Sequence, residues 1–408
     1  MMKGQSTQNN QVKYEVADIF HRYGAEYRRN NGLTRKQHYV MNAVERCRTS
    51  WYGYHQDKCD QCGYVEIDYN SCRDRHCPKC QGVSRTKWVN ARLDDILPVP
   101  YYHVVFTLPH LLHDLTSHNK KLIYDLLFSC ASQTLLTFGQ DPKWLGGEIG
   151  FYGILHTWGQ KLWQHPHLHF IVPGGAITKN NSWVAPQHRS KFLFPVHALS
   201  KVFRGKFIEG LKEAHSTAKL TFSTETRQLE SVGGFEQWIN RLVARNWVVY
   251  CKRPFGDAEQ VVRYIGRYTH RVAISNNRII DVQDGQVRFN YKDYKACKKS
   301  WKIMQLNAQE FIRRFLLHVL PDGFHKIRHY GFLANGRRKT KVQLIKHLLQ
   351  IKPDKEKKEL TDDWRMGCPK CETGRLFPYM IVTRFFSIMS SLAMCCERGY
   401  GKCSFDTS

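Results

Sequence analysis

The sequence predicts a mixed α+β fold, and three observations carry that prediction. Helical amphipathic stretches alternate with short runs of β-branched and aromatic residues closed by turn residues. A cysteine-rich segment, His55 to Gln81, precedes the first of those runs. A histidine-rich run, His165-Pro166-His167-Leu168-His169, passes straight into Phe170-Ile171-Val172 and then Pro173-Gly174-Gly175, which reads as an interior strand ended by a turn.

Taken in order, residues 14–50 read as helical. Leu33-Thr34-Arg35-Lys36-Gln37 supplies a capping box for a second helix continuing through Val40, Val44 and Cys47. The cysteine-rich knot follows. After Pro98 and Pro100 the pattern turns to strand over Tyr102 to Leu108, closed by Pro109, and a helix is expected over Leu111 to Phe138. Strands are expected at Gly150–Thr157 and His167–Val172, helices at His197–His215 and Phe235–Ala244, and a strand at Trp247–Cys251. A helix over Ala258–Arg271 leads to a hairpin, Arg278–Val282 and Val287–Tyr291, turning on Asp284-Gly285. From Asn307 the chain reads as helical again, with Phe311, Phe315, Leu316 and Val319 on one face, and Lys352–Glu359 reads as a charged linker. The corresponding domain expectation is residues 1–95 (helical and zinc-binding), 96–300 (catalytic), 301–350 (a basic helical extension) and 351–408 (linker and cysteine-containing tail).

Charge restricts the partner. Lys and Arg number 62 against 35 Asp and Glu, a formal net charge of +27 over 408 residues, with 13% aromatic residues. A surplus of that size points to a polyanion, and the aromatics offer stacking surfaces for unpaired bases. In Lys326 to Phe332 and Arg337 to Lys341, basic residues interleave with aromatics; Lys326, Arg328, Tyr330, Arg337 and Arg338 are candidate DNA contacts. Membrane lipid is disfavoured. Met1 to Asn10 has no apolar core of a secretory signal, and the apolar stretch Leu376–Cys396 contains Pro378 and Arg384. Without an export signal, the 14 cysteines read as reduced thiols of a cytoplasmic protein.

Several thiols have metal-ligand spacing. Cys59-Asp60-Gln61-Cys62 and Cys77-Pro78-Lys79-Cys80 are C-x-x-C knuckles whose four thiolates could close a tetrahedron around zinc. Cys47, His55, Cys72 and His76 remain as candidates for a second site. Cys368-Pro369-Lys370-Cys371 is half of another, with Cys395, Cys396 or Cys403 available to complete it. In a strand, His167 and His169 point to one face and can share a divalent ion. On a helix, Tyr264 and Tyr268 of Tyr264-Ile265-Gly266-Arg267-Tyr268 present two phenols from one face, with Arg263, Arg267 and Arg271 as a phosphate-holding stripe. An ion beside two tyrosines can break a phosphodiester and transfer it to protein.

The order of these blocks resembles a known family. Tyr69 to Gln81, with its Cys72-Arg73-Asp74-Arg75-His76-Cys77-Pro78-Lys79-Cys80 core, is followed by Phe106-Thr107-Leu108-Pro109, His-Pro-His-Leu-His, Tyr-Ile-Gly-Arg-Tyr and Phe324 to Phe332. This is similar to the two-tyrosine HUH transposases of rolling-circle insertion sequences that carry an N-terminal zinc-binding domain. The resemblance implies a bacterial mobile element and an HUH endonuclease core with a central antiparallel sheet. It also implies a catalytic Mg2+ or Mn2+ ion besides structural Zn2+. Carried over, the HUH histidines are His167 and His169 and the nucleophiles Tyr264 and Tyr268; His165 and Gln260 stand as candidates for a third ligand.

The expected chemistry is transesterification. Attack by a tyrosine would leave a 5′-phosphotyrosine and a free 3′-OH, keeping the bond energy in the ester. Rejoining then needs no nucleotide cofactor, consistent with the lack of any G-x4-G-K-[S/T] motif. The expected partners are single-stranded or hairpin DNA at the element ends, and target DNA. The alternatives are a relaxase or replication initiator with the same active site, and a zinc-dependent DNA-binding regulator without catalysis.

Overall fold

The structure is a computed structural model, and it describes residues 14–186, 193–252, 266, 272–293, 300–351, 366–371 and 373–383. The chain divides into two compact units. One comprises Met1–Gln81, Ser275–Ile279 and Pro353–Ser408, the other Gly82–Ile274 and Ile280–Lys352. In chain order the first unit opens with α1 (Val16–Asn30), α2 (Arg35–Glu45), β1 (Tyr54–Cys59) and β2 (Val65–Tyr69). From α3 (Gln81–Leu93) onward the second unit runs β3 (Tyr101–Thr107), α4 (His113–His118), α5 (Lys120–Gln140), β4 (Gly150–Trp158) and β5 (Gln164–Pro173). It continues with β6 (Ala176–Ile177), β7 (Trp183–Val184), α6 (Val196–Ser216), α7 (Val232–Val243) and β8 (Val249–Lys252). Then come β9 (Ile279–Gln283), β10 (Gln286–Asp293), β11 (Ser300–Asn307), α8 (Ala308–Leu317), β12 (Ile327–Gly331) and α9 (Arg338–Leu348). The last described strand, β13 (Leu376–Val382), belongs to the first unit.

The second unit contains the expected central sheet. It has five strands in the order β12-β4-β5-β3-β8, with every neighbouring pair antiparallel. Alternation divides its side chains between two faces. Val104, Phe106, Phe151, Leu155, Leu168, Phe170 and Val172 enter a large apolar core with Leu127 and Phe128 of α5, Phe203 and Phe207 of α6, and Trp238 of α7. Helix α5 is long and apolar enough to cross a membrane, but its apolar side belongs to this core. The opposite face carries Tyr101, Tyr152, Ile154 and Ile171, covered by Val342 and Ile345 of α9. That second face also holds the histidines.

Local signals translate well where they concern hydrogen bonds within a few residues. Thr34 and Gln37 form the expected capping box: Gln37 N–H donates to Thr34 Oγ1 at 3.2 Å and Thr34 N–H to Gln37 Oε1 at 2.9 Å. Asp284 and Gly285 have φ of 48° and 71°, the paired positive values of a tight hairpin turn between β9 and β10.

Other expectations need correction. The single helix expected over Leu111–Phe138 is broken at Asn119, whose amide donates to the Leu115 and Thr221 carbonyls while its Oδ1 accepts from Thr221 N–H. That side chain ties the break to a segment 102 residues away, a reason periodicity cannot show. Ser300–Asn307 is a strand paired with β10, although its Lys and Gln residues blur the alternation. The cysteine-rich knot contains a β-hairpin, and β13 from the tail adds to its edge in the order β13-β1-β2.

Candidate active site and cysteine centres

Register brings the histidines together. His156 lies directly opposite His167 across the β4–β5 pair, and His169 is two residues further along the same face. Their ligand nitrogens all lie within 4.8 Å of one another, so His156, His167 and His169 could hold one metal ion. His156 and His169 are buried and His167 half-buried. His156 was not singled out in the sequence. The available signal was its place near the end of the strand expected at Gly150–Thr157, but antiparallel register decides whether such a residue faces a neighbour's histidines.

The surroundings orient these rings. His167 Nδ1 is 2.6 Å from the His165 carbonyl, an acceptor, so Nδ1 carries the proton and Nε2 is left as the ligand atom. His169 Nδ1 lies 2.8 Å from Nε2 of His103, a buried residue of β3, and the two rings stack at 5.0 Å. With His169 Nδ1–H donating to His103, His169 also keeps Nε2 for an ion. Trp158 stacks on His156 at 4.7 Å. The His165 ring lies between His167 and His110, with centroids 5.1 and 6.1 Å away, and is outside the ligand group. Burial, with His110 adding to it, lowers the pKa of His165 and favours its neutral form. Of the two candidates for a third ligand, His165 thus stands beside the group, where His156 completes it; Gln260 lies outside the described residues.

Tyr264, Tyr268, Arg263, Arg267 and Arg271 also lie outside the described residues. Gly266, midway between the tyrosines, is described. It is buried, and a Cβ there would stand 2.5 Å from Cγ2 of Val89 on α3. One residue earlier on α3, Trp88 packs edge-on against Tyr152, on the histidine face of the sheet.

The thiols group differently from the C-x-x-C pairing expected. Cys77 and Cys80 join Cys47 and Cys72, whereas Cys59 and Cys62 join Cys368 and Cys371. The reason is the hairpin. Cys59 and Cys62 sit at the β1–β2 turn, while Cys47 and Cys72 flank its open end, where Arg48 N–H donates to Asn70 O. Five residues of strand separate the two ends by roughly 17 Å, too far for one tetrahedron. In the first quartet Cys72 Sγ and Cys80 Sγ are 3.7 Å apart, and Cys72 N–H points to Cys47 Sγ at 3.5 Å. His76 and His55 are not members of either quartet. His76 Nδ1 is held by Asp74 at 2.8 Å, and His55 lies with Asp57 and Asp68 on the hairpin.

Most of the basic candidates in 326–341 are engaged within the fold. Arg328 pairs with Asp125 and lies 4.2 Å over the Phe128 ring; Arg338 pairs with Asp95 at 3.0 Å, and Arg337 with Glu148 at 2.9 Å. Tyr330 stacks on Phe151 at 5.1 Å and packs against the core. Lys326 is half-buried, and its carbonyl accepts from Leu155 N–H.

The chain is similar to known transposases in both halves of its sequence. A family model described as "Putative transposase" matches residues 150–341, and one described as "Transposase zinc-binding domain" matches residues 19–108. "Putative transposase y4qJ" of Sinorhizobium fredii is 46% identical over 376 residues, covering 89% of this chain and 94% of that protein. "Transposase for insertion sequence element IS801" of Pseudomonas savastanoi pv. phaseolicola is 26% identical over 292 residues, 71% of this chain and 68% of that protein. No solved structure matches the chain.

Proposed function

Because this chain belongs to the IS91/IS801 family of insertion-sequence transposases, we propose that it moves its element by nicking and rejoining single-stranded DNA. The intermediates would be 5′-phosphotyrosines. The observation that carries this reading is the convergence of His156, His167 and His169 on two neighbouring antiparallel strands. Three imidazoles around one point offer a divalent ion a ready set of ligands.

The donor set also bears on which ion. The group contains only ring nitrogens, a donor set that fits magnesium poorly, since that ion prefers oxygen ligands and retained water. When bound, a divalent ion would polarise the scissile phosphate and offset charge building on its oxygens. The chain's own residues do the rest. The His165 carbonyl fixes the tautomer of His167 and His103 holds the ring of His169, so the imidazoles are oriented before DNA arrives. A tyrosine oxygen attacks phosphorus, the 3′ oxygen leaves, and the phosphoryl group stays on the protein until a 3′-OH reverses the step. Two tyrosines, Tyr264 and Tyr268, suit two linked strand transfers, one at each element end. Gly266 supports this assignment: it brings the middle of the tyrosine segment against α3, on which Trp88 reaches the histidine face.

The test is a denaturing gel of the protein with single-stranded oligonucleotides carrying candidate ends. A covalent adduct is expected with added Mn2+. It should be reduced in Tyr264→Phe or Tyr268→Phe and lost in the double variant. Normal adduct yield from the double variant would overturn the nucleophile assignment. The same adduct chemistry would serve a relaxase or initiator; strand joining to a second oligonucleotide end distinguishes transposition.

A further inference from the structure

The zinc-binding family match ends at residue 108, yet two of the cysteines that complete a quartet with Cys59 and Cys62 come from residues 368 and 371. We infer that Cys59, Cys62, Cys368 and Cys371 hold a second structural zinc ion, one that staples the C-terminal segment of the chain onto its N-terminal hairpin. The sulfur geometry fits. Cys59 Sγ–Cys371 Sγ and Cys62 Sγ–Cys368 Sγ are each 3.7 Å. Four sulfurs at the usual zinc–sulfur bond length on the corners of a tetrahedron are about 3.8 Å apart. A disulfide would need about 2 Å, so these pairs are not poised as bridges.

The two knuckles are also prepared for thiolates. Backbone N–H groups of Gln61, Lys370 and Gly374 point to the sulfurs of Cys59, Cys368 and Cys371, each at 3.4 Å. Hydrogen bonds of this kind favour the charged form of a thiol, the form that binds metal. The backbone delivers the tail knuckle in register. Strand β13 pairs with β1 with Leu376 opposite Cys59, and beyond it Asp60 and Arg375 exchange backbone and side-chain hydrogen bonds at 3.1 and 2.8 Å. Gly374 fits only as glycine, since a Cβ there would lie 2.4 Å from Cys59 Sγ.

Among the described residues, apolar burial is too small to account for the attachment. The buried cluster at this junction is Cys59, Cys368 and Leu376, with Tyr64 and Cys371 packed beside it. Closing a contact across 306 residues carries an entropic cost that so few apolar groups repay poorly, whereas a tetrathiolate zinc site repays it readily. Zinc retention by the N-terminal region thereby depends on a segment near the other end of the chain.

Elemental analysis of the full-length protein should find two zinc ions per chain. The Cys368→Ser/Cys371→Ser variant should retain one, and so should Cys59→Ser/Cys62→Ser. One zinc in the wild type, iron in place of the second zinc, or two zinc ions in either variant would overturn the inference. A second measurement needs no variant: alkylation of the native wild-type protein followed by mass spectrometry. Cys59, Cys62, Cys368 and Cys371 should be protected together and become reactive together on chelation. Free alkylation of Cys368 and Cys371 while Cys59 and Cys62 stay protected would equally overturn it. Neither readout involves DNA cleavage, so the result is independent of the catalytic proposal.

Discussion

The three histidines lie on paired antiparallel strands and the quartet of Cys59, Cys62, Cys368 and Cys371 sits at the ends of another such pair, yet the surrounding folds stand in opposite relation to the two groups. Strands β4 and β5 are backed by Phe151, Leu155, Leu168 and Phe170 in a core that α5, α6 and α7 close. That core is large enough to fix the histidine positions without an ion. Among the described residues the β1–β2–β13 sheet has no such backing: Val65, Ile67, Tyr379, Met380 and Ile381 are exposed, and the small buried cluster nearby is made partly of the cysteines themselves. On the two proposals above, a metal would serve chemistry in the first region and folding in the second. Similar ligand clustering therefore carries different consequences, and they can be separated by measurement.

The largest expected effect is on the cysteine-rich region. Strong chelation should remove hydrogen-exchange protection from the amides of β1 and β2 while leaving β4 and β5 protected. Apparent zinc-binding free energies in small domains run to about 10 kcal/mol or more, and here they would be folding free energy. Simultaneous loss of protection in both sheets would break the contrast.

Next comes His156. His156→Gln should lower adduct formation on the order of a thousandfold, equivalent to about 4 kcal/mol of transition-state stabilisation. Its urea midpoint should move little, because the apolar face of β4 is untouched. Wild-type cleavage by this variant would remove His156 from the ligand set.

A smaller effect sharpens the reading of β12. Tyr330 was expected to stack on DNA bases, but it packs on Phe151 and Phe170. Tyr330→Ala should therefore cost roughly 2–4 kcal/mol in urea denaturation, by removing a packed ring from the sheet edge. The salt dependence of single-strand binding should stay unchanged, since no phosphate contact is lost. A stable variant with weakened single-strand affinity would restore the stacking role.

The smallest effect is a pH dependence confined to the sheet unit. Burial, together with Arg92 and Arg338, lowers the pKa of His329 from 6.5 to about 4. Between those values the unfolded chain binds a proton that the folded chain does not, so stability is full above pH 6.5 and falls as pH drops toward 4. The expected slope is roughly 1 kcal/mol per pH unit, allowing for partial exposure. It should become shallower in His329→Gln, with the half-buried His113 and His165 supplying the remainder; an unchanged slope would assign it wholly to those groups.

The sequence by itself determined whatever rests on neighbours along the chain. Thr34 and Gln37 cap a helix because their side chains reach each other's amides within one turn. Asp284-Gly285 turns a hairpin because both residues tolerate positive φ. His167 and His169 share a face because strands alternate, and each C-x-x-C brings two thiols to one turn. The order of those blocks was enough to point to the transposase family. The tertiary structure decided what depends on register and chain path. His156 meets His167 only because β4 pairs with β5 in one alignment; a shift of one residue would turn it into the opposite core. His103 orients His169 from a strand 66 residues earlier. Cys59 and Cys62 find their partners 312 and 306 residues away because β13 returns to the edge of β1, a choice made by backbone hydrogen bonds that the spacing of cysteines does not encode.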